Sequence, residues 1–504
     1  MPSKHQKYPS QSTDGSFLEV MDHAEDQAPI AVEPASLAPL EDDKRTERKL
    51  VWKLDLSVLP FATVLYLFSS LDRGNIGNAR LGGLEEDLGL VGNEFYNALS
   101  IFFVGYVMFQ IPSNIGLKIF TPSLWFGFAA LAWGACSTSM AATRNYAGLM
   151  ATRTFLGISE SFMAPCLPVY LSFWYMPNEL GSRNAIFYAA STVAGAFGGI
   201  LAWAIIGHLE GVLGLASWRW LFIIEGLPTV LLGFLCLLFL PNYPKTAGRH
   251  FLTPTEKHLA IERVQSVHNS DDDTFSKPQL LACLQDWNTW RYMVIYIGIV
   301  SCVSSYSIFL PTIVHAMGFQ SLQAQLLTIP PYVVGCLAVV AAARYSDRVM
   351  QRSNVIALTL SAAILGYVFL LIGEYQPLQY TGAILVPCGV FPSVPLAIAW
   401  LSNNTVGHTK RGVTLAIANS AGQAVSIVGT QIYRAEDAPD YRLGHGISLC
   451  FVVLSLCFTV FQRRKLASEN RRREREYGRP EDVKVNEEQS GYLYDRHPAF
   501  RYVL

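Results

Sequence analysis

Charged residues are absent from long stretches of this chain. No Asp, Glu, Lys or Arg occurs from Ile119 to Thr143, from Asn184 to Leu209, from Tyr292 to Ala343 or from Tyr375 to Thr409. A helix needs roughly 20 apolar residues to cross the hydrocarbon core of a bilayer, and several of these runs hold one or two crossings. The pattern predicts twelve spans, centred near residues 62, 105, 132, 163, 196, 230, 302, 334, 364, 390, 422 and 453. They fall into two sets of six, over 50–240 and 290–462, separated by a hydrophilic linker at 241–289. Polar tails at 1–49 and 463–504 flank them and are expected to be disordered. Inside the linker, Thr253 and Glu256 of "TPTEKHLAIERV" have capping-box spacing with Pro254 at the first helical position, which predicts a short surface helix.

Composition agrees with a surface that faces lipid. Of 504 residues, 51% are hydrophobic and 15% charged, against about 25% charged in an ordinary soluble protein. The net charge of −1 gives no electrostatic reason for a nucleic-acid partner. The nine cysteines form no CxxC pair and lie mostly in apolar runs, so core packing is expected, with neither a metal site nor a disulfide framework. The N-terminus lacks the apolar stretch of a signal peptide.

With twelve spans both termini share one side. Lys44, Arg45, Arg48, Lys49, Lys53, Lys118, Arg183, Lys245, Arg249, Arg344, Arg348, Arg352, Lys410, Arg411 and the Arg-rich C-terminus collect there, so that side is expected to be cytoplasmic. The sequon at Asn403 falls on it and is expected to stay unglycosylated. The chain also repeats weakly. "IPSNIGLKIF" after the second span has its counterpart in "AARYSDRVMQR" after the eighth. Tandem six-span bundles are how transporters with a midplane site between halves are built.

Six segments, in order, carry a resemblance: "LDRGNIGNARLGGLEEDLGL" (71–90), "ALSIFFVGYVMFQIPSN" (98–114), "RTFLGISES" (153–161), "WRWLFIIEGLP" (218–228), "GHTKRG" (407–412) and "AEDAPDYRLGHGISL" (435–449). From about Lys53 to Arg463 the chain resembles the major facilitator superfamily, in particular its anion:cation symporter branch and the fungal allantoate/nicotinate permeases. The resemblance implies an all-α membrane protein with twelve transmembrane helices in two six-helix bundles. One departure stands out. Asn114 occupies the first loop position where the superfamily normally has Asp, whereas the second copy keeps Asp347 and Arg348.

Charges inside the spans are the candidate chemistry. Asp72 and Arg73 follow the first apolar run. On hydropathy alone that span ends at Leu71 and the pair sits in the headgroups. The following "GNIGNARLGG" has the small and amide character of a helix packed closely against neighbours, and the resemblance implies that the helix continues and puts the pair in the central cavity. In the fourth span Arg153 and Glu160 are seven residues apart, on nearly one helix face and roughly 10 Å from each other. Charges at that depth are expensive, so they pair or line a wet path.

Symport of an anion needs a carboxylate that takes up a proton and a cation that stays charged and grips a carboxylate in two places. The resemblance assigns Asp72 and Glu160 to the proton and Arg73 to the substrate, with Arg153 beside it tuning Glu160. Glu225 is expected to make a structural helix-to-helix hydrogen bond. Tyr306, Asn419 and Gln423 are candidate substrate contacts. Asn114, Lys118, Asp347 and Arg348 are candidate gate residues, with Asp347–Arg348 latching onto a neighbouring helix. Gly195 and Gly199 are expected to serve packing, and His208 and His315 to sit at span ends.

The function expected is proton-coupled uptake of a small organic carboxylate of the nicotinate, allantoate or pantothenate kind by a monomer in the plasma membrane, with no cofactor. Export of an endogenous acid on the same fold is one alternative. A nutrient sensor that transports nothing is another. There is no GxxxxGK[ST], HExxH or GxSxG, so neither an ATP-driven pump nor an enzyme is expected.

Overall fold

The computed structural model describes residues 38–248, 251–268, 277–373, 375–406, 408–479, 495, 497 and 499–504, and among these every regular element is helical. Contacts divide the chain into residues 1–49 and 50–504. Twelve long helices follow a first helix at Ala38–Ser57: α1 (Leu59–Leu81), α2 (Glu94–Ile119), α3 (Pro122–Met140), α4 (Tyr146–Ser161), α5 (Pro177–His208), α6 (Ser217–Phe239), α7 (Trp287–Ala316), α8 (Ile329–Val349), α9 (Arg352–Ile372), α10 (Gln376–Asn403), α11 (His408–Gln431) and α12 (Arg442–Tyr477). Among the described residues ten helices are long and apolar enough to cross a membrane. The other two long ones are α3 and α4, and α4, with Arg153 and Glu160 in its 16 residues, is the shortest.

The packing repeats with an offset of six. In the first half α1 packs on α5 and α6, α2 on α4, and α3 on α4 and α6; in the second, α7 packs on α11 and α12, α8 on α10, and α9 on α10 and α12. The halves touch mainly through α1–α7, α2–α11 and α5–α8; when the halves are exchanged the first pair maps onto itself and the other two onto each other. Several of these cross-half contacts lie toward the helix ends farthest from the termini. Tyr96 stacks on Phe309, and Phe309 on Tyr433. Ser100 bonds Thr430 at 2.7 Å and accepts from Gln431 at 2.7 Å. A Cβ on Gly195 would run into the Tyr332 ring and one on Gly199 into Thr328, so both glycines serve close packing.

The linker helix forms at Pro254–His268, with Glu256 N donating to Thr253 Oγ1 at 3.3 Å and Thr253 N to the Glu256 carboxylate at 2.9 Å. It is pinned to the first half by Lys53–Glu256 at 2.7 Å and Arg263–Glu179 at 2.5 Å.

The tails depart from the expectation of disorder. Residues 38–49 are helical, their Leu, Glu, Lys and Arg being strong helix formers; residues 1–37 lie outside the described set. At the other end α12 runs past Arg463 to Tyr477 for the same reason and stops at Gly478, with φ 77°. The last residues then fold back. Val503 O accepts from Trp400 Nε1 at 2.8 Å and Asn404 Nδ2 at 2.9 Å, and Val503 N donates to Asn404 Oδ1 at 2.7 Å. Buried Arg473 donates to the carbonyls of Asp495 and Phe500, and buried Lys410 bridges Asp286 and Asp495 at 2.7 Å each. Charges that look solvated along the sequence are thus taken up by partners far away in it.

Candidate functional site

Helix α1 runs unbroken through Asp72 and Arg73 to Leu81. Neighbouring residues on an α-helix point about 100° apart, since 3.6 residues make a turn, so the two side chains serve different helices. Arg73 and Ser69, four residues apart, share the face toward α4. There Arg73 Nε donates to Glu160 Oε2 at 2.7 Å and Ser69 Oγ to the same oxygen at 2.9 Å. Asp72 and Asn75 share the face toward α3 and α6. Asp72 accepts from Trp133 Nε1 at 2.9 Å and Ser137 Oγ at 2.6 Å, and Asn75 Nδ2 donates to Glu225.

Burial separates the groups further. Asp72, Glu160, Glu225 and Arg153 are all at or below 1% exposed, while the Arg73 side chain keeps 22% of its surface. Arg73 is therefore the open member of the cluster. Its guanidinium lies over the Tyr106 ring at 4.8 Å and the Phe102 ring at 5.5 Å, contacts that favour a cation in a desolvated place. Arg73 Nη2 and Glu160 Oε1 have no protein partner. The pair thus holds together by one hydrogen bond and leaves one donor and one acceptor unused.

Three expectations change. Asp72 does not face a cavity with Arg73; it is enclosed against α3 by the helix rotation just described. Arg153 is not the ion-pair partner of Glu160. One helix turn after another separates them along α4, and Arg153 lies over Phe102 at 5.1 Å with Nε directed at Ala98 O, 3.4 Å away. Arg73 fills that role from α1. Tyr306 is buried, and its hydroxyl donates to Ala383 O at 2.5 Å, which ties α7 to α10 instead of lining a path.

Asn419 is half-buried and Gln423 buried, with Gln423 Oε1 unpartnered. Asn114 Nδ2 donates to Gln110 O at 3.1 Å and its Oδ1 faces Cys166 Sγ at 3.6 Å. Asp347 meets Arg352 at the start of α9, 3.5 Å away, and Arg348 is exposed; the contact to the neighbouring helix therefore runs through Asp347 alone, because Asp347 and Arg348 point apart on α8. The Lys118 side chain lies outside the described residues. His208 and His315 sit at helix ends. Arg219, close to Glu225 along the chain, bonds Asp87 instead at 2.8 Å.

Sequence reading missed Ser69, Asn75, Trp133, Ser137, Phe102 and Tyr106. Two of them carried a signal: Ser69 stands four residues before Arg73 and Asn75 three after Asp72, the spacings that share a helix face. The α3 donors and the two rings carried none, since only the packing of α2 and α3 against α1 brings them in.

The arrangement can hold an anion at Arg73 in exchange for Glu160. Comparison with known proteins gives the family. A family model described as Major Facilitator Superfamily matches residues 62–430. The MFS transporter prlL of a fungal strain (NRRL 50135) is 34% identical over 473 residues, covering 90% of this chain and 92% of the relative. The high-affinity nicotinic acid transporter of Saccharomyces cerevisiae is 30% identical over 459 residues, covering 91% and 85%. Among solved structures, a D-xylose-proton symporter superposes with a TM-score of 0.61 over 80% of this chain and 97% of its own, at 16% identity. A bacterial homologue of the human lysosomal transporter Spinster gives 0.58 over 81% and 96%, at 13%.

Proposed function

The chain belongs to the Major Facilitator Superfamily, and on that footing we propose that it imports a small organic carboxylate together with a proton, as a member of the anion:cation symporter branch. It is a membrane transporter and not an enzyme. The observation that carries the reading is the Arg73–Glu160 pair, buried on the Glu160 side and open on the Arg73 side.

An incoming carboxylate competes with Glu160 for the guanidinium, whose planar fork accepts it in two places. Once displaced, Glu160 is a buried anion without its cation, a state that costs several kcal/mol. Uptake of one proton removes that cost. Substrate and proton therefore bind together, and loss of either restores the ion pair. Phe102 and Tyr106 beside Arg73 suit a flat or aromatic acid, and the yeast relative's name, a nicotinic acid transporter, supports nicotinate as the first compound to try.

The rest of the cycle follows from the seal between the halves. In our reading the bundles 50–240 and 290–462, joined by the linker 241–289, rock about the α1–α7 contact. Lys and Arg gather at the face that holds the termini, which we take as cytoplasmic in the plasma membrane. Asp347–Arg352, near the cytoplasmic ends of α8 and α9 in this reading, is then a gate pair.

The test is uptake of radiolabelled nicotinate and a panel of other carboxylates by permease-deficient yeast at acidic and neutral outside pH, with wild type beside Glu160→Gln. Wild type accumulates one acid better at low pH. Glu160→Gln, permanently neutral, still exchanges that acid across the membrane but no longer concentrates it. Equal pH dependence in both proteins rules out the exchange at Arg73.

A further inference from the structure

The core of the first half holds three buried acids, Asp72, Glu160 and Glu225, with buried Arg153 and half-buried Arg73. With all five ionised one negative charge stays uncompensated in a medium where an unpaired ion is expensive. The contacts show which acid is left over. Glu160 has Arg73 and Ser69. Asp72 has two donors, one on each oxygen, from Trp133 and Ser137. Glu225 has a single neutral donor, Asn75 Nδ2, on Oε2.

The unused atoms of that last pair match. Glu225 Oε1 and Asn75 Oδ1 are both buried, and neither has a partner. Both belong to one hydrogen-bonded side-chain pair, and two acceptors cannot satisfy each other; buried polar groups without partners cost about 1–3 kcal/mol each. One hydrogen on Oε1 changes this. The acid then donates to the amide oxygen while the amide nitrogen donates to Oε2, the closed ring of a carboxylic acid and a primary amide. Among the described residues no other side chain is placed to supply a cation. Of the helices packed on α6, α3 has no charged residue and α5 carries Glu179, Arg183 and His208 near its ends; on α1 Arg73 turns toward α4 and Arg80 toward Glu85 and Tyr96, which leaves Asp72, one turn from Asn75, while Arg219 of α6 itself pairs with Asp87.

We infer that Glu225, held by Asn75 across the α1–α6 seam, carries a proton in this conformation and is a second proton position of the transport cycle, distinct from the substrate-exchanging Glu160. This rests on the proton-coupled reading above. The balance is simple: the proton enters on Glu225 Oε1 and forms the bond to Asn75 Oδ1. When the halves rock and that bond breaks, the same proton leaves toward the Asp72 carboxylate, the next acceptor along α1. Glu225 acts through Asn75 and is a positioning residue for α1 as much as a proton carrier.

Two measurements test it. Infrared spectra of the purified protein at neutral pH should contain the carbonyl band of a protonated carboxylic acid, present in wild type and Asp72→Asn and missing in Glu225→Gln. In the same Gln variant the amide–amide ring keeps both hydrogen bonds, so melting should match wild type, whereas Glu225→Leu should melt lower. In transport, Glu225→Gln should keep substrate exchange but lower the proton-to-substrate ratio by one. An acid band that survives Glu225→Gln, or no such band in wild type, overturns the protonated pair. A band that vanishes in Glu225→Gln with the proton ratio unchanged overturns the second proton position and leaves a fixed structural hydrogen bond. If wild-type uptake ignores the pH gradient, the symport reading fails instead, and the infrared result is unaffected.

Discussion

Gly77 is where the two halves come closest, and adding one carbon there should tip the conformational balance. A Cβ at Gly77 would lie 2.0 Å from the carbonyl oxygen of Ile308 on α7. Carbon and oxygen sit comfortably at roughly 3.3 Å, so Gly77→Ala asks α1 and α7 to part by about 1.3 Å at the sealed face. The obstacle is backbone, which no side-chain rotation relieves. Overpacking of this kind costs about 1–3 kcal/mol. In a two-bundle transporter the cost falls on the sealed conformation alone, because opening that face separates the helices. The shift toward the alternative state is then roughly 5–150-fold.

Gly157→Ala is the matching control. Its Cβ would lie 2.1 Å from Phe102 O, but α2 and α4 belong to one half, so both conformations feel the strain equally. The assay is the rate at which a membrane-impermeant thiol reagent, added on the side opposite the termini, modifies a cysteine replacing Ser100 in a cysteine-free background. Ser100 lies in the seal against Thr430 and Gln431. Gly77→Ala should speed labelling within the range above, and Gly157→Ala should lower the melting temperature without speeding it. Equal labelling of folded Gly77→Ala and its parent refutes the reasoning, as does an equal acceleration in both variants.

Two further outcomes follow from the face that holds the termini. Deleting residues 495–504 removes the carbonyl acceptors of buried Arg473, which keeps only Glu469, and one of the two carboxylates on Lys410; at about 1–3 kcal/mol for each orphaned group, the detergent-solubilised protein should melt several degrees lower, while the KM for substrate stays the same. Burial lifts the Glu256 carboxyl, but hydrogen bonds from Lys53 and Thr253 outweigh that and hold it below the usual carboxylate range. A carboxyl depressed in the folded state stabilises above its unfolded value near 4.3 and stops doing so as pH falls through the folded value. The melting gap between wild type and Glu256→Gln should therefore be full at pH 7 and close below about pH 4.

What could be read along the chain was whatever neighbours in sequence decide. Lipid exposure forces long uncharged helical runs, so the spans were visible as gaps in the charge pattern. The capping of the linker helix at Thr253 and Glu256 depends on residues three apart and was visible too. The charges of the first half could be found but not paired. Whether Arg153 or Arg73 holds Glu160, and whether Asp72 meets water or Trp133, depends on how α1 is rotated against α3 and α4. That rotation is set by the packing of α1 on α5, α6 and α7 and leaves no mark at the charged positions. The same holds at the C-terminus, where "RRKLASENRRRERE" reads as solvated, yet Arg473 is buried because a segment more than twenty residues further on returns to cover it. Hydrophobic spacing records which face of a helix is covered; it does not record by what, and for the buried charges of this transporter that choice was made only in three dimensions.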